Sequence, residues 1–241
     1  MIHYSAHIKQ IVFLLSFMVV LLPYMSEADP VRIGSIQVKQ LIYDAATEQH
    51  IDPYLLFAVA IAESQKKIND HSFTAWPWTL NVAGKAYYFD TKKEAVDFIS
   101  TSIQDGVKPV KIDVGMFQIN LFYVKGMRTA NPIISLISDE TLIEIENNSQ
   151  VAALFLAEAI QSAPGDLSLG VGHYHSHRPL IAIKYGRKVV SIAKKLKILK
   201  FFGGAKWKQE HTEIKRSQEN GYQRHRAYRK QTPHEPRNFL G

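Results

Sequence analysis

The chain has 241 residues, a net charge of +7 and no cysteine. Lack of cysteine excludes a disulfide framework, a thiol nucleophile and a lipidated cysteine together. An apolar content of 46% excludes a chain disordered throughout, and the length suits one domain with appendages. The charge is lopsided: residues 194–241 carry thirteen Lys/Arg against four Glu, which leaves the remainder close to neutral.

Lys9 precedes an apolar run over 11–22, broken only by Ser16, then Pro23 and the small-x-small triplet Ser26-Glu27-Ala28. This pattern predicts a secretory signal at 1–28, cut after Ala28, because twelve apolar residues fall short of the about 20 that a span needs. The address is then across the inner membrane, into the periplasm. An exported domain without disulfides is held by packing alone.

Ile36, Leu41, Ile42 and Ala45 recur at helical spacing and predict a first helix over 35–50. Asp52-Pro53 reads as an N-cap followed by proline at the first helical position. The unbroken apolar stretch 54–62 then predicts a helix buried on every face. Strand formers at 78–82 and 86–89, separated by Ala83-Gly84-Lys85, predict one short hairpin. Thr91 with Glu94 forms a capping box for a helix ending near Gly106. A further helix is expected to begin near Gly115, with a turn at Asn131-Pro132. Asn148 or Ser149 should cap a helix over 150–161, ended by Pro164-Gly165, and a last helix should run over 179–200. The expected class is mostly α, with a small β-hairpin inserted. Residues 204–241, polar and basic with few aliphatics, predict a disordered tail.

Glu63 follows the apolar stretch directly, with Val59 and Ala60 one turn behind it. Burial disfavours the charged form of a carboxyl, and a general acid for glycoside cleavage must keep its proton near neutral pH. Equally, Glu63 can be the first solvated residue of a surfacing helix, as Lys66 and Lys67 suggest. Further on come Asp113-Val114-Gly115-Met116-Phe117-Gln118-Ile119-Asn120, then Gly172-His173-Tyr174-His175, then Tyr185 ahead of Val189.

Glu63-Ser64 and these segments, in this order, resemble the soluble lytic transglycosylase family, whose fold is goose-type lysozyme-like. There the chain reads Glu-Ser, Gly-Leu-Met-Gln-Ile, Ala-Tyr-Asn-Ala-Gly and a Tyr-x-x-x-Val helix. The resemblance covers about 35–195. The long gap between Glu63 and Gly115, and the Gly-x-Tyr-His form of the third motif, resemble the branch carried by conjugative and integrating elements. His175 stands where other members have Asn, so a role resting on Asn-Ala-Gly does not transfer.

The resemblance implies an enzyme, spanning 29–203, that cuts peptidoglycan between N-acetylmuramic acid and N-acetylglucosamine, leaving a 1,6-anhydro end. It implies Glu63 as catalytic acid and base, and Ser64, Gln118, Asn120, Tyr174 and His175 as substrate-binding or orienting residues. It implies no metal and no cofactor, and a place at a conjugation or secretion apparatus. In a strand, His173, His175 and His177 would share a face and could hold zinc. Asp113 reads as a turn residue or as the second carboxylate of a hydrolytic lysozyme. Trp76, Trp78, Tyr87 and Tyr88 suit a glycan groove or a packed hairpin equally. The basic tail suits anionic envelope surfaces, and with a secretory signal no nucleic-acid partner is expected. The alternatives to a transglycosylase are a muramidase that uses water and a catalytically silent glycan-binding scaffold.

Overall fold

The computed structural model describes residues 36–69 and 72–203; the expected signal (1–28) and basic tail (204–241) lie outside the described residues. Among the described residues there are eight α-helices and two small antiparallel sheets, a mostly α chain with some β. No described helix is long and apolar enough to cross a membrane. The described residues form two compact units, one of 36–41 with 60–154, the other of 42–59 with 155–203.

Helix α1 (Ile36–Glu48) is followed by α2 (Pro53–Ser64). The Asp52 carboxylate accepts the Tyr54 N–H at 3.0 Å, so the cap expected from Asp52-Pro53 forms. Leu55 to Ala60 are all buried, as an apolar helix without a polar face requires.

In the first unit, the chain after Ser64 leaves the helix as a strand. Strands β1 (Gln65–Asn69) and β2 (Ser72–Ala75) pair antiparallel, where only a surfacing helix end was expected. The expected hairpin is β3 (Thr79–Val82) with β4 (Lys85–Tyr88). Its turn is two residues, not three: Ala83 and Gly84 take φ of 54° and 86°, the left-handed pair that matches strand twist.

Helix α3 (Lys92–Gln104) carries the reciprocal capping box of Thr91 and Glu94. The helix expected from Gly115 does not exist. Instead β5 (Ile112–Val114) and β6 (Ile119–Asn120) form a hairpin that completes a sheet of order β4-β3-β5-β6. Gly115 at φ 80° and Gln118 at φ 50° are incompatible with a helix there. Leu80, Val114 and Ile119 lie abreast on the buried face of this sheet, while Asn81, Asp113 and Asn120 lie abreast on the other. Asp113 is therefore a strand residue, not a turn.

Helix α4 (Leu121–Met127) starts directly after Asn120. Asn131-Pro132 is a helix start rather than a turn, Asn131 capping the four-residue α5 (Pro132–Ser135). Helix α6 (Ile145–Gln161) begins earlier than expected, so Asn148 and Ser149 are interior and fully buried, not caps.

In the second unit, α7 (Leu167–His173) and α8 (Pro179–Ile198) pack together closely. A Cβ on Gly172 would strike the Ala182 carbonyl, and one on Gly186 the Ser168 carbonyl, so only glycine permits this crossing. Phe202 closes the described chain, buried with its ring against Tyr54 at 5.0 Å and Tyr43 at 5.9 Å.

Candidate functional site

Glu63 is the penultimate residue of α2, half-buried, with its Oε1 out of reach of solvent. The apolar helix that ends here fixes the height of that carboxylate within the first unit. Ser64 is fully buried. Its hydroxyl donates to the Ala60 carbonyl at 2.9 Å and accepts the Trp76 N–H at 3.1 Å. A hydroxyl with its proton given, a lone pair taken and no exposed surface is a scaffold element. It ties the base of the β1–β2 hairpin to the residue beside Glu63, and this differs from the substrate contact that the motif implies.

From Ser64 the hydrogen bonds continue in series. The Thr79 hydroxyl donates to the Trp76 carbonyl at 2.8 Å, and the Thr79 carbonyl accepts the Gly115 N–H at 2.8 Å. The same carbonyl accepts the Gln118 amide at 3.3 Å, and the Gly115 carbonyl accepts it at 2.8 Å. The Gln118 nitrogen must face these two carbonyls, because it alone can donate. Its Oε1 remains as the acceptor for a ligand donor. Gln118 also holds a left-handed backbone without being glycine, a strain that persists only where surroundings impose it.

What imposes it is Asn148, which is interior to α6 rather than the cap its position suggests. Its Nδ2 donates to the carbonyls of Val114 at 2.9 Å and Leu142 at 3.0 Å, and its Oδ1 accepts the Phe117 N–H at 2.9 Å. A Cβ on Gly115 would come within 2.6 Å of the Asn148 side chain. The glycine is required twice, for its positive φ and for room beside Asn148. The available signal was a polar pair, Asn148-Ser149, set among apolar positions of one helix face.

Asn120 is similarly occupied. Its Nδ2 donates to Asp113 Oδ1 at 2.8 Å and to the Val110 carbonyl at 3.1 Å, while its Oδ1 caps α4 through the Phe122 N–H. Trp78 is buried and meets Trp76 edge-on at 6.4 Å; Tyr87 packs at a tilt against Phe98 at 4.6 Å. Those members of the aromatic cluster pack the sheet. The Trp76 indole donates to the Phe89 carbonyl at 2.6 Å and carries the Lys66 ammonium 3.6 Å above its ring.

Elsewhere in this unit Asp139 receives Lys125 and Arg128, both at 2.7 Å. Burial pushes its carboxyl up, but the hydrogen bonds and charges of the two cations outweigh that and hold it below the usual carboxylate value.

Tyr174 and His175 belong to the second unit. Tyr174 is the C-cap of α7, and the His175 ring lies flat on Tyr185 at 4.6 Å and 3°. His173 closes the helix, with Nδ1 2.7 Å from the Ser162 hydroxyl and its ring 5.0 Å from His177. The segment is helix and turn, so the strand alternation that would align three imidazoles does not arise. Among the described residues no His/Asp/Glu group is arranged to hold a metal.

Compared with protein-family models, with curated proteins and with solved structures, the chain gives no match.

Proposed function

We propose that this protein is a lytic transglycosylase of the periplasm, with a lysozyme-like fold, that cuts the bond between N-acetylmuramic acid and N-acetylglucosamine in peptidoglycan. One observation carries the reading. A shielded carboxylate at the end of a buried helix is linked through Ser64, Trp76 and Thr79 to the Gly115 and Gln118 loop. The order of motifs that resembles the transglycosylase family adds to it, as does the expected signal peptide.

In this reading Glu63 gives its proton to the glycosidic oxygen as the C1–O bond breaks. The resulting carboxylate takes the proton of the sugar's own C6 hydroxyl while that oxygen closes on C1. The nucleophile belongs to the same ring, so proximity replaces water and one carboxylate serves both steps. Gln118 Oε1 accepts from a sugar N–H or O–H, and the motif order that resembles the family gives Tyr174 and His175 a substrate-binding role. Local opening of the wall for a conjugation or secretion apparatus suits this activity, and the basic tail suits anionic envelope surfaces.

Glu63→Gln keeps shape and removes the titratable proton. We expect release of 1,6-anhydro muropeptides, measured by mass spectrometry of digested sacculi, to fall about 100-fold or more, with circular dichroism unchanged. Activity near wild type would overturn the assignment. Asp113, half-buried on the open face of the sheet, favours a second reading as a hydrolytic muramidase. Reducing ends in the wild-type digest would select it.

A further inference from the structure

The second unit holds a pocket of about 290 Å³ that the proposed chemistry does not use. It is just below the about 300 Å³ at which small-ligand sites begin. Leu55 and Ala193 form a buried apolar floor, Ile160 and Val190 the walls, and Leu167, 49% exposed, one lip. The polar lining is basic: the ammonium groups of Lys194 and Lys197 and the His50 imidazole, with Asp52 the single acid. Asp52 is already engaged, by the Lys197 ammonium and by the cap of α2. Lys194 has no acidic partner among the described residues, so the mouth keeps an unmatched positive charge.

His50 adds an independent observation. Helix α1 ends with Ile51 N–H on the Ala46 carbonyl at 2.9 Å and His50 N–H on the Thr47 carbonyl at 3.1 Å. This is the glycine-type helix stop, yet the left-handed position is held by histidine at φ 56°. Helix α8 ends on the same stop with Lys200 at φ 50°; what sets His50 apart is that it lines the pocket. A strained residue lining a cavity is grounds for a functional hypothesis.

We infer that this pocket binds a short aliphatic chain bearing one anionic head, a medium-chain carboxylate or its equivalent. The chain would lie along Leu55, Ile160 and Val190, and the head would meet Lys194 and His50. Apolar burial supplies the affinity and the charge supplies the selection, because a cationic head would face Lys194 unscreened.

The test uses the full-length protein, titrated by calorimetry with octanoate, octanol and octyltrimethylammonium below their aggregation limits. Octanoate should bind about fivefold or more tighter than octanol, and the cation should not bind. Lys194→Glu, a surface change that leaves the core intact, should weaken octanoate by about the same factor without affecting octanol. His50→Gly should weaken octanoate while raising the melting temperature, a pairing that a purely structural histidine would not show. Equal binding of octanoate and octanol, or octanoate unaffected by Lys194→Glu, would overturn the inference. So would tighter binding of a peptide with a C-terminal leucine than of octanoate, which would assign the pocket to a partner protein. Retained cleavage in these variants would keep this outcome separate from the fate of Glu63.

Discussion

The loop at 115–118 and the crossing of α7 with α8 both bring backbone into unusually close quarters, by opposite means. At the loop a buried amide, Asn148, fills the space and answers three backbone groups. At the crossing nothing fills the space, because Gly172 and Gly186 let one helix rest on the carbonyls of the other. The first arrangement fails by leaving polar groups unanswered. The second fails by collision. A polar lock fixes individual atoms, which suits a loop that must present Gln118; a glycine contact fixes only the distance between two helices.

The largest effect should come from breaking the lock. Asn148→Ala strands two carbonyls and one N–H in the interior and should cost about 4 kcal/mol, seen as a shifted urea midpoint. If the loss is below about 1 kcal/mol, water replaces the amide and the lock is not what holds the loop. Gly186→Ala should follow at about 3 kcal/mol, because the obstacle is the Ser168 carbonyl rather than a movable side chain. An unaffected melting temperature there would mean that the crossing is adjustable.

The smallest effect sharpens the contrast with a charged contact nearer the surface. Asp139→Asn should cost about 1 kcal/mol near neutral pH. The Asp139 carboxyl is held below its unfolded value, so its contribution is present above about pH 4 and is lost as pH falls through the folded value. Urea midpoints of wild type and variant should therefore converge in acid. A constant gap down to pH 2 would show that charge is not the source.

Local signals were legible where a short segment decides its own shape. Asp52-Pro53, the Thr91–Glu94 box and the hairpin around Ala83-Gly84-Lys85 each act within a few residues, and each appears in the structure, the hairpin with Lys85 in its strand rather than its turn. The β1–β2 hairpin was not legible, because Gln65-Lys66-Lys67 has no apolar alternation. It is held instead from outside, by Ser64 to Trp76 and by Tyr88 to the Gln65 carbonyl. Strands β5 and β6, of three and two residues, are too short to show a period. Asn148 has the sequence signature of a cap, because an asparagine near a helix start ordinarily caps it, and its partners at Val114 and Phe117 lie over thirty residues away. For the candidate site, sequence could mark Glu63 and Gln118 by position and motif order. It could not separate Ser64 and Asn120, whose polar atoms are spent on backbone groups and on Asp113, from residues with atoms still to offer.

The placement of the tryptophans has an optical consequence. Of three in the chain, Trp76 and Trp78 stand edge to face at the foot of the β1–β2 hairpin, Trp76 under the Lys66 ammonium, and Trp207 lies outside the described residues. The second unit, over its described residues, contains tyrosine and phenylalanine but no indole. Once Trp207 is replaced, ultraviolet emission excited at the red edge of indole absorption becomes a private signal of the first unit. Any rearrangement around Glu63 that lifts Lys66 from its ring would change the colour of that signal while the second unit stays dark.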